Sequence, residues 1–142
     1  MIFTLFPKDI KEILRFKRQE RFTDGWNENM MQASFDSGNY FMFGIKDGEK
    51  LIALISLTLS VDFADILEVL VDSKFRRQGY STRLIAHALK FIKSNNVNKV
   101  FLEVRKNNVP AINSYKKSGF KEISIRKKYY DNCEDAIIMA KE

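Results

Sequence analysis

The chain of 142 residues matches the length of one domain, and a domain this size buries roughly 68–70% of its unfolded surface. With 45% hydrophobic residues and 12 Phe, 5 Tyr and 1 Trp, it is not a disordered segment. One Cys leaves no disulfide framework or Cys-based zinc site, and one His leaves no His-rich metal site, so no metal is expected. The formal charge of +6 raises a nucleic-acid reading, while no run of 18 apolar residues is present to span a membrane.

Taken in chain order, the N-terminus lacks the sequence of charge, apolar run and small-residue cleavage site that marks a signal peptide, so a cytoplasmic location is expected. After a short first strand, Pro7 suits the first turn of a helix, and Ile10, Ile13, Leu14 and Phe16–Lys17 form a stripe running to about Arg21. A second helical stretch follows Gly25, with Trp26, Met30, Met31 and Phe35 on it and Gly38-Asn39 ending it. Strands are expected at Tyr40–Ile45 and Lys50–Leu59, joined by Lys46-Asp47-Gly48-Glu49, because Asp-Gly is a strong hairpin signal. Another strand runs from Ala64 to Val71. A helix from about Gly79 to Ser94 has Leu84, Ile85, Ala88, Leu89 and Ile92 on one side. Asn98–Val104 reads as a strand and Asn108–Ser118 as a short helix, with Pro110 near its start and Gly119 past its end. Phe120–Ile125 and Ala136–Ala140 complete the strands. The stretch from 64 to 104 is a strand, a helix and a strand, which predicts a right-handed parallel unit inside a mixed sheet.

The positive charge is not spread evenly. Residues 72–106 carry 9 Lys and Arg against 2 acidic residues, whereas residues 1–71 carry 8 against 11. The excess surrounds the segment from Val69 to Thr82, where a buried strand feeds a basic loop that opens a helix. Unpaired N–H groups and the dipole at a helix start favour an anion. Gly79 permits close approach of a ligand, Ser81 and Thr82 add hydroxyls, and Arg76, Arg77 and Arg83 add charge. Taken alone, the segment reads equally well as a basic helix start on the surface.

Arg76-Arg77-Gln78-Gly79-Tyr80-Ser81 resembles the pyrophosphate loop of the GNAT acetyltransferases, Q/R-x-x-G-x-G/A, with Ser81 standing where that family usually has Gly or Ala. From Leu102 the chain reads LEVRKNNVPAINSYKKSGFKEISIRKKYYDNCEDAIIMAKE. This is similar to the bacterial ribosomal-protein alanine N-acetyltransferases (RimI type), in which a strand ending E-V-R precedes N-x-x-A-x-x-x-Y-x-x-x-G-F and a closing I-R-x-x-Y-Y…E-D-A-I-I-M. The likeness is dense over about residues 67–142 and thin before that.

The resemblance implies an α/β (α+β) GNAT fold over residues 1–142: a mixed, mostly antiparallel sheet of about seven strands flanked by about four helices. It implies acetyl-CoA as co-substrate and, as acceptor, the N-terminal alanine of a small-subunit ribosomal protein. No direct nucleic-acid or membrane partner is expected. Glu103 matches the general base and Tyr115 the general acid. Val69, Leu70 and Val71 match the strand that holds the pantetheine, Arg76, Arg77, Gln78, Gly79, Tyr80, Ser81 and Thr82 the pyrophosphate loop, and Asn108 a further coenzyme contact. Tyr129 and Tyr130 match a loop that holds the acceptor peptide.

Each residue also has a plainer reading. Glu103 occupies the polar position of an alternating strand, Tyr115 can be core, and Tyr129 and Tyr130 can be rim packing. His87, Cys133, Trp26 and the Met30-Met31 pair read as structural or incidental. The other acceptors consistent with the sequence are a different protein N-terminus, a lysine side chain or a small amine. Outside enzymology, an acyl-CoA sensor or a nucleic-acid binder competes.

Overall fold

The computed structural model describes residues 1–22, 25–129 and 134–142. Its centre is a seven-stranded sheet of order β1-β2-β3-β4-β5-β7-β6, formed by β1 (Ile2–Leu5), β2 (Tyr40–Asp47), β3 (Lys50–Leu59), β4 (Phe63–Val71), β5 (Lys99–Arg105), β6 (Lys121–Arg126) and β7 (Ala136–Lys141). Four α-helices flank it: α1 (Ile10–Gln19), α2 (Glu28–Asp36), α3 (Tyr80–Ser94) and α4 (Val109–Lys117). Only β4 and β5 run parallel, joined through α3, and every other neighbouring pair is antiparallel. The expected mixed, mostly antiparallel sheet is therefore present.

Element boundaries differ from the sequence expectation for local reasons. The first helix ends at Gln19 rather than near Arg21, which sits at φ +60° outside the helical region. The second helix starts at Glu28, because Asn27 caps it by accepting from the Met30 N–H at 2.9 Å; Trp26 lies before the helix and stacks on Tyr40. The hairpin closes more tightly than expected, with Asp47 opposite Lys50 and only Gly48-Glu49 between them.

β3 is buried on both faces, so its sequence is almost continuously apolar. One core lies beneath α3 and α4 and includes Phe43, Ile55, Leu84, Ile85, Leu102 and Phe120. The second lies beneath α1 and α2 and includes Ile13, Phe16, Met31, Met42 and Leu54. His87 packs within the fold in a T-shaped pair with Phe43, ring centroids 4.6 Å apart.

The feature that positions a site is the early end of the β4–β5 pairing. The parallel register runs from Phe63–Lys99 to Ile66–Leu102 and stops there. Beyond it, β4 pairs only with β3 and β5 only with β7. A bulge falls where the strands part: on β3 Ser56 and Leu57 are adjacent, but their partners Glu68 and Ile66 leave Leu67 unmatched. The sheet thus opens into a V. The exposed edge of Val69–Val71 forms one arm, and the chain leading into α4 forms the other.

Candidate functional site

A groove of about 790 Å3 occupies the opening, within the usual size range for small-molecule sites. It is lined by Val69, Leu70 and Val71 from β4, by Arg76, Arg77, Gly79, Tyr80, Ser81 and Thr82 from the loop and start of α3, and by Asn108 ahead of α4. These are ten of the residues singled out in the sequence; Gln78 is not among the lining residues. The opposite wall was not identified from sequence. It consists of Pro110, Ala111, Asn113, Ser114 and Lys117 on α4, together with Phe22 after α1.

Local backbone geometry shapes the basic side of the groove. Gly79 is the N-cap of α3 at φ +83°, and no side chain caps the helix. A Cβ at Gly79 would meet nothing within 4 Å, so the position requires glycine for its dihedral angle and leaves the first-turn N–H groups open. Arg77 also has positive φ, +63°, a conformation uncommon for a residue with a Cβ. Among the described residues, Arg76, Arg77 and Lys117 line the groove and no carboxylate does. The arrangement suits a polyanionic ligand. Asn108 holds the far wall: its Oδ1 accepts from the Ala111 N–H at 3.3 Å, capping α4.

Glu103 is the first residue of β5 beyond the pairing with β4. Its neighbours Leu102 and Val104 enter the core beneath α3, so alternation turns Glu103 to the opposite face. Its side chain is 32% exposed and its Oε1 lies 3.2 Å from Arg126 Nη1. The Arg126 guanidinium also lies over the Tyr129 ring, 4.8 Å from its centroid. Asp65 on β4 completes this face. Burial pushes its carboxyl above the usual range, and the nearby charge of Glu103 adds to the shift.

Tyr115 follows Ser114 on α4; its half-buried ring packs against the α3-side core, edge-on to Phe120 at 6.2 Å, and is not among the groove-lining side chains. Tyr130 and Cys133 lie outside the described residues. The Glu134-Asp135 pair fastens the loop that carries Tyr129. Glu134 accepts from Arg105 Nη1 at 3.1 Å and from Asn107 Nδ2 at 2.6 Å. Asp135 Oδ1 accepts from the Lys128 N–H at 3.0 Å, which holds the Asp135 carboxyl below the ordinary range.

A sheet that parts around an uncapped, basic helix start frames an α/β protein with a groove suited to a phosphate-bearing ligand. Comparison with known proteins makes this specific. Residues 8–120 match the model of the acetyltransferase (GNAT) family. The chain is 35% identical over 118 residues to the [ribosomal protein bS18]-alanine N-acetyltransferase of Escherichia coli K12, covering 81% of this chain and 79% of that protein. It is 43% identical over 76 residues to an N-alpha-acetyltransferase of Sulfurisphaera tokodaii, covering 53% and 46%. The crystal structure of the ribosomal-protein-S18-alanine N-acetyltransferase from Escherichia coli superposes with a TM-score of 0.85 at 29% identity, covering 99% of this chain and 91% of that one.

The chain belongs to the GNAT acetyltransferase family. It is an N-acetyltransferase, and enzymes of this family take the acetyl group from acetyl-CoA. Among the described residues, no helix is long and apolar enough to cross a membrane.

Proposed function

We propose that the protein transfers acetyl from acetyl-CoA to the α-amino group of an N-terminal alanine on a small-subunit ribosomal protein, an acceptor met in the cytoplasm. The observation that supports this reading is that Glu103, though not among the groove-lining residues, is the first residue of β5 past its pairing with β4, where the V opens, and carries the Arg126 contact that also reaches Tyr129. The relatives' activities support the acceptor: one acts on a ribosomal-protein alanine, and the archaeal one is an N-alpha-acetyltransferase.

The groove residues fit the coenzyme. The first-turn N–H groups of α3, with Arg76 and Arg77, would hold its phosphates, and the open edge of Val69–Val71 its pantetheine arm. Bound there, the coenzyme supplies an activated thioester. An α-amine has a reference pKa of about 7.7–8.0 against about 10.4 for lysine, so a useful share of it is neutral near pH 7. Glu103 takes the proton that the amine loses as the new bond forms, directly or through a water. A strand N–H near Leu70–Val71 steadies the charge that develops on the carbonyl oxygen. Tyr115, on the helix that walls the groove, returns a proton to the departing sulfur.

Incubation with acetyl-CoA and a peptide panel tests the acceptor. Acetylation of a free N-terminal alanine peptide should exceed that of an N-terminally blocked lysine peptide and of small amines. A preference for lysine would overturn the assignment. Glu103→Gln and Tyr115→Phe should each lower kcat, the former about 10²–10⁴-fold, while acetyl-CoA still binds. Normal turnover in both variants would refute these roles.

A further inference from the structure

We infer that Arg126 is a positioning residue that sets the carboxylate of Glu103 and the ring of Tyr129 in one arrangement, so that proton acceptor and acceptor-peptide contact are aligned together. The inference rests on the proposed role of Glu103 and adds a residue to which neither the sequence nor the comparisons assign a role.

The geometry is specific. Arg126 ends β6, opposite Ala136 on β7, while Glu103 on β5 lies opposite Ile138. The guanidinium therefore reaches diagonally across β7 to place Nη1 at 3.2 Å from Glu103 Oε1. Its Cζ also lies over the Tyr129 ring, 4.8 Å from the centroid, just past the end of β6. A guanidinium can meet a carboxylate through its edge and an aromatic ring through its face simultaneously, which an ammonium cannot do. The charge distribution gives the contact a reason. Asp65 and Glu103 place two carboxylates on this part of the sheet, and the Glu103 charge adds to the upward push that burial gives the Asp65 carboxyl. Arg126 offsets that charge from the β6 side, pairing with Glu103 at 3.2 Å.

Because Arg126 keeps 52% side-chain exposure, this pair contributes little to folding, and kinetics can be read without a stability artefact. Arg126→Gln and Arg126→Lys would be compared using acetyl-CoA and an N-terminal alanine peptide, with coenzyme affinity measured by calorimetry. Arg126→Gln should lower kcat and raise the peptide KM, reducing kcat/KM about 10–100-fold with coenzyme affinity unchanged. Arg126→Lys should restore kcat to within about threefold yet leave the peptide KM raised, because it retains the charge and loses the face contact. In a Glu103→Gln background, Arg126→Gln should lower kcat by less than about threefold.

Unchanged kcat/KM in Arg126→Gln, or losses that multiply in the double variant, would overturn the inference. If Glu103→Gln is itself fully active, the proposed role of Glu103 fails instead. If Glu103→Gln is inactive while Arg126→Gln is normal, only the positioning role fails.

Discussion

The two sides of the parted sheet are held by different means. On the α3 side, the groove wall is local: one strand, one loop and one helix start within residues 69–82, shaped by the positive φ of Arg77 and Gly79. On the α1 side, the layer is tied by side chains that reach far along the sequence. Glu12 accepts from the Leu51 N–H, Lys17 pairs with Glu68, and Glu20 accepts from the Ser73 N–H. Backbone conformation suits a ligand whose phosphates are always the same. Under the proposed function the acceptor meets Glu103 on the other face, which the distant side-chain ties hold against the sheet.

The Lys17–Glu68 pair gives the sharpest way to break this contrast. The Lys17 side chain is only 4% exposed, at 3.1 Å from Glu68 Oε2, and Glu68 sits beside the Leu67 bulge where the sheet opens. Lys17→Met fills the same volume but removes the ammonium, leaving Glu68 without its Lys17 partner. The expected loss is about 3 kcal/mol, the low end for a buried pair because Glu68 keeps 27% exposure. Adding Glu68→Leu should recover most of it. Urea unfolding would measure both. In kinetics, the acceptor KM should rise more than the acetyl-CoA KM; an equal rise in both would erase the distinction between the two sides.

Glu12 offers a smaller and pH-dependent cut through the same layer. Hydrogen bonding from Arg15 comes first among its stabilising contacts, with the Leu51 N–H also contributing, and together they hold its pKa down to about 2 from 4.5 despite partial burial. A depressed carboxylate pKa means that the unfolded chain binds the proton more readily, so this contribution is complete above pH 4.5 and is lost as pH falls toward 2. Glu12→Gln should cost about 1.5–3 kcal/mol at neutral pH and converge with the parent in strong acid. A constant difference across that range would show that packing, and not charge, fastens α1 to β3.

How much could be read from the chain follows the same division. The groove wall from Val69 to Thr82 was legible because a buried strand, a basic loop, a glycine and an amphipathic helix are consecutive, and short-range rules govern each. Glu103 was placed on its strand, but its meeting with Arg126 depends on β7 lying between β5 and β6, an order that periodicity does not encode. The α4 wall escaped for a similar reason: Pro110, Asn113 and Lys117 carry no apolar stripe that says which neighbour they face. The Leu67 bulge, which lies where the sheet parts, leaves no mark in a strand reading of Ala64–Val71. Asn27 carried a capping signal that the Trp26–Phe35 spacing obscured, moving the start of α2 past Trp26.

The smallest expected effect tests the local side of the comparison. At Gly79 a methyl group would enter open space, so Gly79→Ala meets no steric neighbour. Its cost is conformational, because φ is +83° and an L-residue loses about 1–2 kcal/mol in the left-handed region. Two responses are available to the chain. If the loop keeps its shape, stability falls by about that amount and coenzyme affinity changes little. If the loop relaxes toward negative φ, stability is largely preserved, but the first-turn N–H groups of α3 turn away from the groove and acetyl-CoA affinity falls, about tenfold for each 1.4 kcal/mol of lost interaction. The neighbouring Arg77 at φ +63° already occupies one strained position, so a second strained residue two places on favours relaxation. The expected result is therefore weaker acetyl-CoA binding by calorimetry, with the parent's urea midpoint and a near-parent kcat at saturating coenzyme. A lowered kcat at saturation would mean that the loop conformation reaches Glu103 across the V, and that the two sides are not separable.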